Sequence, residues 1–431
     1  MRRRALLGSL CFLAACAHGG TSQPSEGGRA PAAGASAGAA PDAEEPNAEP
    51  EGADGAGALL PNIVVDGHVD LPYRLTEDGP VSDEALKAVA YGTAPGDFDF
   101  ERAMKGGLNA PFMSLYVSAE HQASGDAKEK ADALLDLVER LAELAPDRFA
   151  IARSPDEVRE VVASGRIALP LGIENGAAVG LDLDHVNHFF ERGVRYITLT
   201  HSRDNEICDS SYDDQHTWGG LSPYGHQVVE RMNEVGIMVD VSHVSDQAFW
   251  DVMKVSSAPV IASHSSARHF TPGFERNLSD DMIRAIAEDG GVVMVNFGST
   301  FVSQRSRDYF NRRREAREGF LSERSIDRDH PDAKAFLDAW EDANPMILAT
   351  VADVADHIDH IVKLVGIDHV GLGSDFDGVG PTLPQGLRGA EDLPNLFQEL
   401  KSRGYGPAEL DQLAFENIFR VWTAVQALAS Y

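Results

Sequence analysis

Ile63-Val64-Val65-Asp66-Gly67-His68-Val69-Asp70 runs from a β-branched stretch directly into two side chains able to bind a metal. The apolar part, Ile63–Asp66, reads as a strand, and in extended geometry residues two apart share a face, so His68 and Asp70 point the same way. Seven further runs rich in Val, Ile and Leu follow: Phe112–Val117, Ala168–Ile173, Tyr196–Thr200, Ile237–Val241, Pro259–Ala262, Gly291–Phe297 and His369–Gly373. Longer amphipathic stretches separate them. In Lys128–Leu144, for example, Leu134, Leu135, Val138 and Leu141 fall on one helical face, and a second helix is predicted over Tyr224–Val235. Eight βα units close a barrel, so the predicted class is α/β, a (β/α)8 TIM-type barrel forming a single catalytic domain over residues 59–431. A doubly wound open sheet is the rival. Against it, no Gly-rich phosphate loop follows the first strand, and polar residues gather after almost every strand instead of at one switch point.

The strand ends repeat the pattern of the first. Ile173 is followed by Glu174, Val241-Ser242 by His243, and Ala262-Ser263 by His264. One histidine after a strand is ordinarily structural, but metal-type side chains at four barrel-strand ends point to a common site at the mouth. Three imidazoles with two carboxylates suit zinc, and the carboxylate count favours two ions with one Glu between them. Four other histidines are set apart. His185 with His188, and His357 with His360, have helical i, i+3 spacing, which can bind metal but more often marks a solvated helix face. The segment Ser303–Pro345, with Arg312-Arg313-Arg314, shows no strand signal and reads as a solvated helical excursion, with a lid or oligomer contact as the alternative.

The chain carries a formal net charge of −31, which excludes a nucleic-acid backbone as partner, while 43% hydrophobic and 24% charged residues allow a sizeable core. Met1-Arg2-Arg3-Arg4 followed by Ala5–Ala15 gives a basic start and an apolar stretch too short to span a bilayer, so residues 1–15 read as a signal peptide. Leu13-Ala14-Ala15-Cys16 resembles the lipobox of bacterial lipoproteins, with Cys16 acylated at the mature N-terminus, and Arg3-Arg4-Ala5-Leu6-Leu7 faintly resembles a twin-arginine signal. Residues 16–58, built of Gly, Ala, Pro, Ser and Glu, cannot bury enough to offset their ordering entropy and read as a flexible tether. The expected location is an exported bacterial lipoprotein, periplasmic or attached to the outer membrane. With Cys11 removed and Cys16 acylated, Cys208 has no intrachain disulfide partner.

Asp66-Gly67-His68-Val69-Asp70-Leu71-Pro72, Gly172-Ile173-Glu174, Thr198-Leu199-Thr200-His201-Ser202, Asp240-Val241-Ser242-His243-Val244-Ser245, Ser263-His264-Ser265-Ser266 and Gly373-Ser374-Asp375-Phe376-Asp377-Gly378 together resemble the membrane (renal) dipeptidases, the M19-type dizinc peptidases of the amidohydrolase-like barrels. The resemblance runs from Asn62 to Ala427. It implies a dipeptidase holding two Zn2+ per chain, one on His68 and Asp70, the other on His243 and His264, with Glu174 bridging. It further implies that His201 contacts the substrate carbonyl and that Arg276, followed by Asn277, holds the free C-terminal carboxylate. Asp375 is implied as proton shuttle to the departing amine, although Asp377 shares its strand exit. Tolerance of C-terminal D-residues is left open. Mammalian members are commonly disulfide-linked dimers, a linkage for which only Cys208 remains here, so any homodimer is expected to be noncovalent. Ser303–Pro345 fits the family poorly. Two other readings stay open at this point: an N-acyl amino acid deacylase or lactam/lactone hydrolase on the same dizinc site, and a periplasmic binding lipoprotein without turnover.

Overall fold

A computed structural model describes residues 60–431 apart from 78 and 93. The expected signal peptide, the lipidation at Cys16 and the tether at residues 16–58 lie outside the described residues.

Among the described residues ten strands occur in chain order: β1 Val65–Val69, β2 Ala110–Tyr116, β3 Phe149–Ile151, β4 Ile167–Leu169, β5 Leu171–Glu174, β6 Val194–Thr198, β7 Met238–Asp240, β8 Ile261–Ala262, β9 Val292–Val295 and β10 Val370–Leu372. Eight of them form one sheet in the order β1-β2-β5-β6-β7-β8-β9-β10, and every pairing between neighbours in it is parallel. The ring closes just past β10. Val69 bridges Phe376, the Asp70 amide donates to the Phe376 carbonyl at 2.9 Å, and the Asp375 amide donates to the His68 carbonyl at 3.1 Å. The protein is therefore the predicted (β/α)8-type barrel, with helices such as Ala127–Leu144 and Pro223–Val235 between strands.

The third predicted strand is corrected. Ala168–Ile173 is two strands broken at Pro170, which has no amide to donate to a ladder. On one side β4 pairs with β3, a short strand the sequence reading did not find; on the other β5 enters the barrel between β2 and β6. The remaining barrel strands differ from their expected limits by one to a few residues, and β1 extends to include His68.

Register explains why the strand ends converge. Tyr116 pairs with Glu174, Glu174 with Thr198, and Thr198 with Asp240, one row across four strands. Beneath that row the interior is filled by side chains. A Cβ on Gly172 would lie 2.1 Å from the Tyr196 ring, so the glycine makes room for this tyrosine at the barrel's centre.

Ser303–Pro345 holds two helices, Gln304–Arg324 and Pro331–Ala343, joined by an Arg313–Glu341 ion pair and by Phe320 stacked on Phe336 at 4.3 Å. The expected helical excursion is thus present. The solvated face expected for His357 is not: this side chain is fully buried, its Nδ1 accepting from the Ala267 amide at 3.0 Å and its Nε2 donating to the Val302 carbonyl at 3.1 Å. Helical spacing alone does not tell which turn faces the barrel.

Candidate metal centre

The structure brings His68, Asp70, Glu174, His201, His243, His264 and Asp375 together at the C-terminal mouth of the barrel. Three overlapping groups, His68 with Glu174 and His264, Glu174 with His201 and His243, and His68 with Asp70 and Asp375, each have ligand atoms within 4.8 Å of one another. Glu174 stands between two sets. Its Oε2 lies 3.4 Å from His68 Nε2, which is also 3.4 Å from Asp70 Oδ2. Its Oε1 lies 3.0 Å from His243 Nε2 and 3.2 Å from His264 Nε2.

Hydrogen bonding fixes the tautomers of two of these imidazoles. The Tyr196 hydroxyl donates its single proton to the Gly67 carbonyl at 3.0 Å, so at 2.9 Å from His68 Nδ1 it must accept. His68 therefore carries its proton on Nδ1 and directs the Nε2 lone pair at Glu174 and Asp70. The second relay has the same logic. Ser263 Oγ donates to Asp240 Oδ2 at 2.6 Å and accepts from His264 Nδ1 at 2.7 Å, leaving the His264 Nε2 lone pair toward Glu174. Asp240 also accepts from the Ser242 amide at 3.0 Å, the Ser263 amide at 2.8 Å and the Thr198 hydroxyl. Such outer partners orient metal-binding histidines and raise their basicity.

The result is a buried convergence of lone pairs. His68 Nε2 and Asp70 Oδ1 are buried with no hydrogen-bond partner. Unpartnered polar atoms are costly in a protein interior, and acceptors aimed at one another repel, unless a cation lies among them. Charge states agree for Glu174, His243 and His264; His68 differs, because against the effect of burial Tyr196, Glu174 and Asp70 hold it well above an ordinary histidine. Burial alone would raise Glu174, but His68, His201 and the contacts from His243 and His264 hold it well below the usual carboxylate range. Burial, with Arg276 and His201 nearby, lowers His243 well below an ordinary histidine; burial with His68 and Arg276 does the same to His264. An ionised carboxylate with neutral imidazoles is the form in which these groups bind metal.

His243 and Asp375 take positive φ values of 71° and 64°, backbone strain of the sort that collects at functional sites. Burial and the facing Asp70 push Asp375 up to about 7, and Asn296 Nδ2 donates to its Oδ2 at 2.7 Å. Asp377 is separated from Asp375 by its partners: it forms a 2.8 Å ion pair with Arg74 and accepts from the Asp97 amide at 2.6 Å. Beside the cluster opens a cavity of about 590 Å3 lined by His201, Asp375, Tyr116, Tyr212, Phe301 and Phe310 among others. Arg276 is buried behind that wall, its Nη1 donating to Ser265 Oγ at 2.7 Å and its Nη2 to the His264 carbonyl at 2.9 Å, with Nε unpartnered. Asn277 lies inside its loop, Nδ2 donating to Thr271 Oγ1 and to the Phe301 carbonyl at 2.7 Å each. Tyr196, Asp240, Ser263 and Asn296 were not singled out from sequence. Their nearness to strand ends was visible; their partners, set by barrel register, were not.

A parallel barrel whose strand ends gather these side chains at its mouth defines a barrel metallohydrolase. Residues 58–431 match the membrane dipeptidases (Peptidase family M19), and the chain belongs to that family. A dipeptidase of Schizosaccharomyces pombe, itself uncharacterized, is 31% identical over 377 residues, covering 85% of this chain and 81% of the relative. The probable dipeptidase PvdM from Pseudomonas aeruginosa has a similar structure, with TM-score 0.72, 26% identity, and coverage of 85% of this chain and 96% of that one. A metallopeptidase from Rhodobacter sphaeroides, solved with a phosphinate mimic of the dipeptide L-Ala-D-Ala, matches with TM-score 0.68, 26% identity, and coverage of 85% and 99%. The protein is a peptidase, and its family implies a metal cofactor.

Proposed function

We propose that this chain is a zinc-dependent dipeptidase that cleaves dipeptides carrying a free C-terminal carboxylate. The observation that carries the reading is Glu174, whose two oxygens face two sets of ligand atoms, His68 with Asp70 on one side and His243 with His264 on the other. These five residues would hold two Zn2+, with Glu174 between them. When bound, the ions would supply an acidified water and polarise the scissile carbonyl. His201, on the cavity wall, offers its imidazole to the substrate carbonyl. Asn296 occupies Asp375 Oδ2, which leaves Oδ1 to carry a proton to the departing amine nitrogen. The buried guanidinium of Arg276, with Nε unspent, supplies the positive charge for the substrate carboxylate. The Rhodobacter sphaeroides relative with its L-Ala-D-Ala mimic supports extending the range to C-terminal D-residues. The motif ending at Cys16 supports export and lipid anchoring, with residues 16–58 as tether.

The test compares a dipeptide, its C-terminal amide and an N-acetyl amino acid, with wild type and Arg276→Ala, at saturating zinc. Amidation is expected to cost at least about tenfold in kcat/KM, the scale of one charge-assisted hydrogen bond, and Arg276→Ala to cost the acid a similar factor but the amide little more. Equal wild-type turnover of acid and amide would reject Arg276 as the carboxylate partner. Faster cleavage of the N-acetyl amino acid would replace the dipeptidase with a deacylase.

A further inference from the structure

His360 takes its partners, Asp280 and His269, from outside its i, i+3 pair with His357. It sits on the helix Val351–Val365, and its Nε2 lies 2.8 Å from Asp280 Oδ1, the first residue of the helix Asp280–Glu288. His269, from the short turn Arg268–Phe270, stacks on His360 with ring centroids 4.3 Å apart and planes 22° from parallel. The ligand atoms of His269, Asp280 and His360 all lie within 4.8 Å of one another. None of the three lines the catalytic cavity.

We propose that His269, Asp280 and His360 form a second, peripheral site for a divalent transition metal of the zinc type. Two imidazoles and one carboxylate select Zn2+, Ni2+ or Cu2+ over Mg2+ and Ca2+, which prefer all-oxygen shells. Three protein ligands leave a position for water, in keeping with an exposed His269 and a half-buried Asp280 and His360. The site is set up before any ion arrives. Phe270 packs edge-on against His360 at 5.6 Å and tilted against the buried His357 at 4.4 Å, which fixes both the turn and the His360 ring. The three ligands come from three separate segments, so an ion here ties the 267–278 loop to both helices from outside. The same loop is tied from inside, where Arg276 reaches Ser265 and the His264 carbonyl. Occupancy therefore stiffens the loop that presents Arg276, without contributing a ligand to the catalytic centre.

The experiment uses the full chain, loaded with zinc and dialysed, then titrated with Zn2+ while bound metal is measured by elemental analysis and calorimetry. Wild type is compared with His360→Ala and His269→Ala. Each variant is expected to bind one equivalent less than wild type, whatever the number held at the catalytic centre, and to lose the rise in Tm that added Zn2+ gives wild type. His269→Ala keeps the His360–Asp280 contact, so it is informative even if His360→Ala folds poorly. Equal stoichiometry and equal Tm response in wild type and His269→Ala would overturn the proposal. So would an equal Tm rise with Mg2+, which would mean nonselective attraction to an acidic surface.

Discussion

Tyr196 holds the proton of His68 in place although it touches no substrate, and its removal separates orientation from ligation. Tyr196→Phe keeps the ring that fills the barrel but leaves His68 Nδ1 without its acceptor. The expected result is metal affinity about 10- to 100-fold weaker, read by competition with a chelator, with the fold retained. Unchanged affinity would mean that packing alone sets the ring. His357 gives a pH effect of defined sign. Burial lowers it from 6.5 to about 4, so between those values the unfolded chain binds a proton that the folded one refuses. Stability contributed by the neutral ring is full above about pH 6.5 and is lost as pH falls toward 4, on the order of 3 kcal/mol. In metal-stripped protein, urea unfolding of His357→Gln should show a pH dependence flatter by about one proton across that window. Parallel curves would show that His357 does not contribute the acid lability.

Among the elements, the barrel strands were legible because each is an apolar run ending in a polar side chain, and strand parity places His68 and Asp70 on one side. The short strand Phe149–Ile151 was not, since its three residues offer too little pattern; Pro170 lies at the break that splits its partner from the barrel, a signal that reading Ala168–Ile173 as one strand passes over. The helix Gln304–Arg324 is polar on nearly all sides, so nothing in its sequence marks Phe310 as part of the cavity wall. Phe310→Ala should lower kcat/KM about tenfold for dipeptides with large apolar side chains and leave Gly-Gly nearly unchanged, the scale of a lost apolar contact in a pocket. A uniform loss across substrates would instead place the helix in catalysis or stability. The residues proposed to hold metal were legible one by one; the relays Tyr196–His68 and Asp240–Ser263–His264 cross the barrel and depend on register that no linear pattern encodes.

For the whole molecule, the proposed anchor and the peptidase are separable in the sequence: the motif at Cys16 and the family match at residues 58–431 do not overlap. Cys16→Ser should release active enzyme into the soluble fraction with kcat/KM unchanged, and a loss of activity in folded, exported protein would show that the tether acts on the barrel. The barrel's seam has a further consequence, in time rather than space. Asp66 accepts from the Ser374 amide across 308 residues of sequence, and on that side β1 is joined to the segment just past β10 by this bond, by the Val69–Phe376 bridge and by the two amide bonds beside it. At roughly 5–20 residues per second, about 15 to 60 s of synthesis separate His68 from the segment that closes the ring behind it. A chain that stops short of Ser374 leaves β1 paired with β2 alone, with Asp375 and the Phe376 seam not yet in place beside His68 and Asp70.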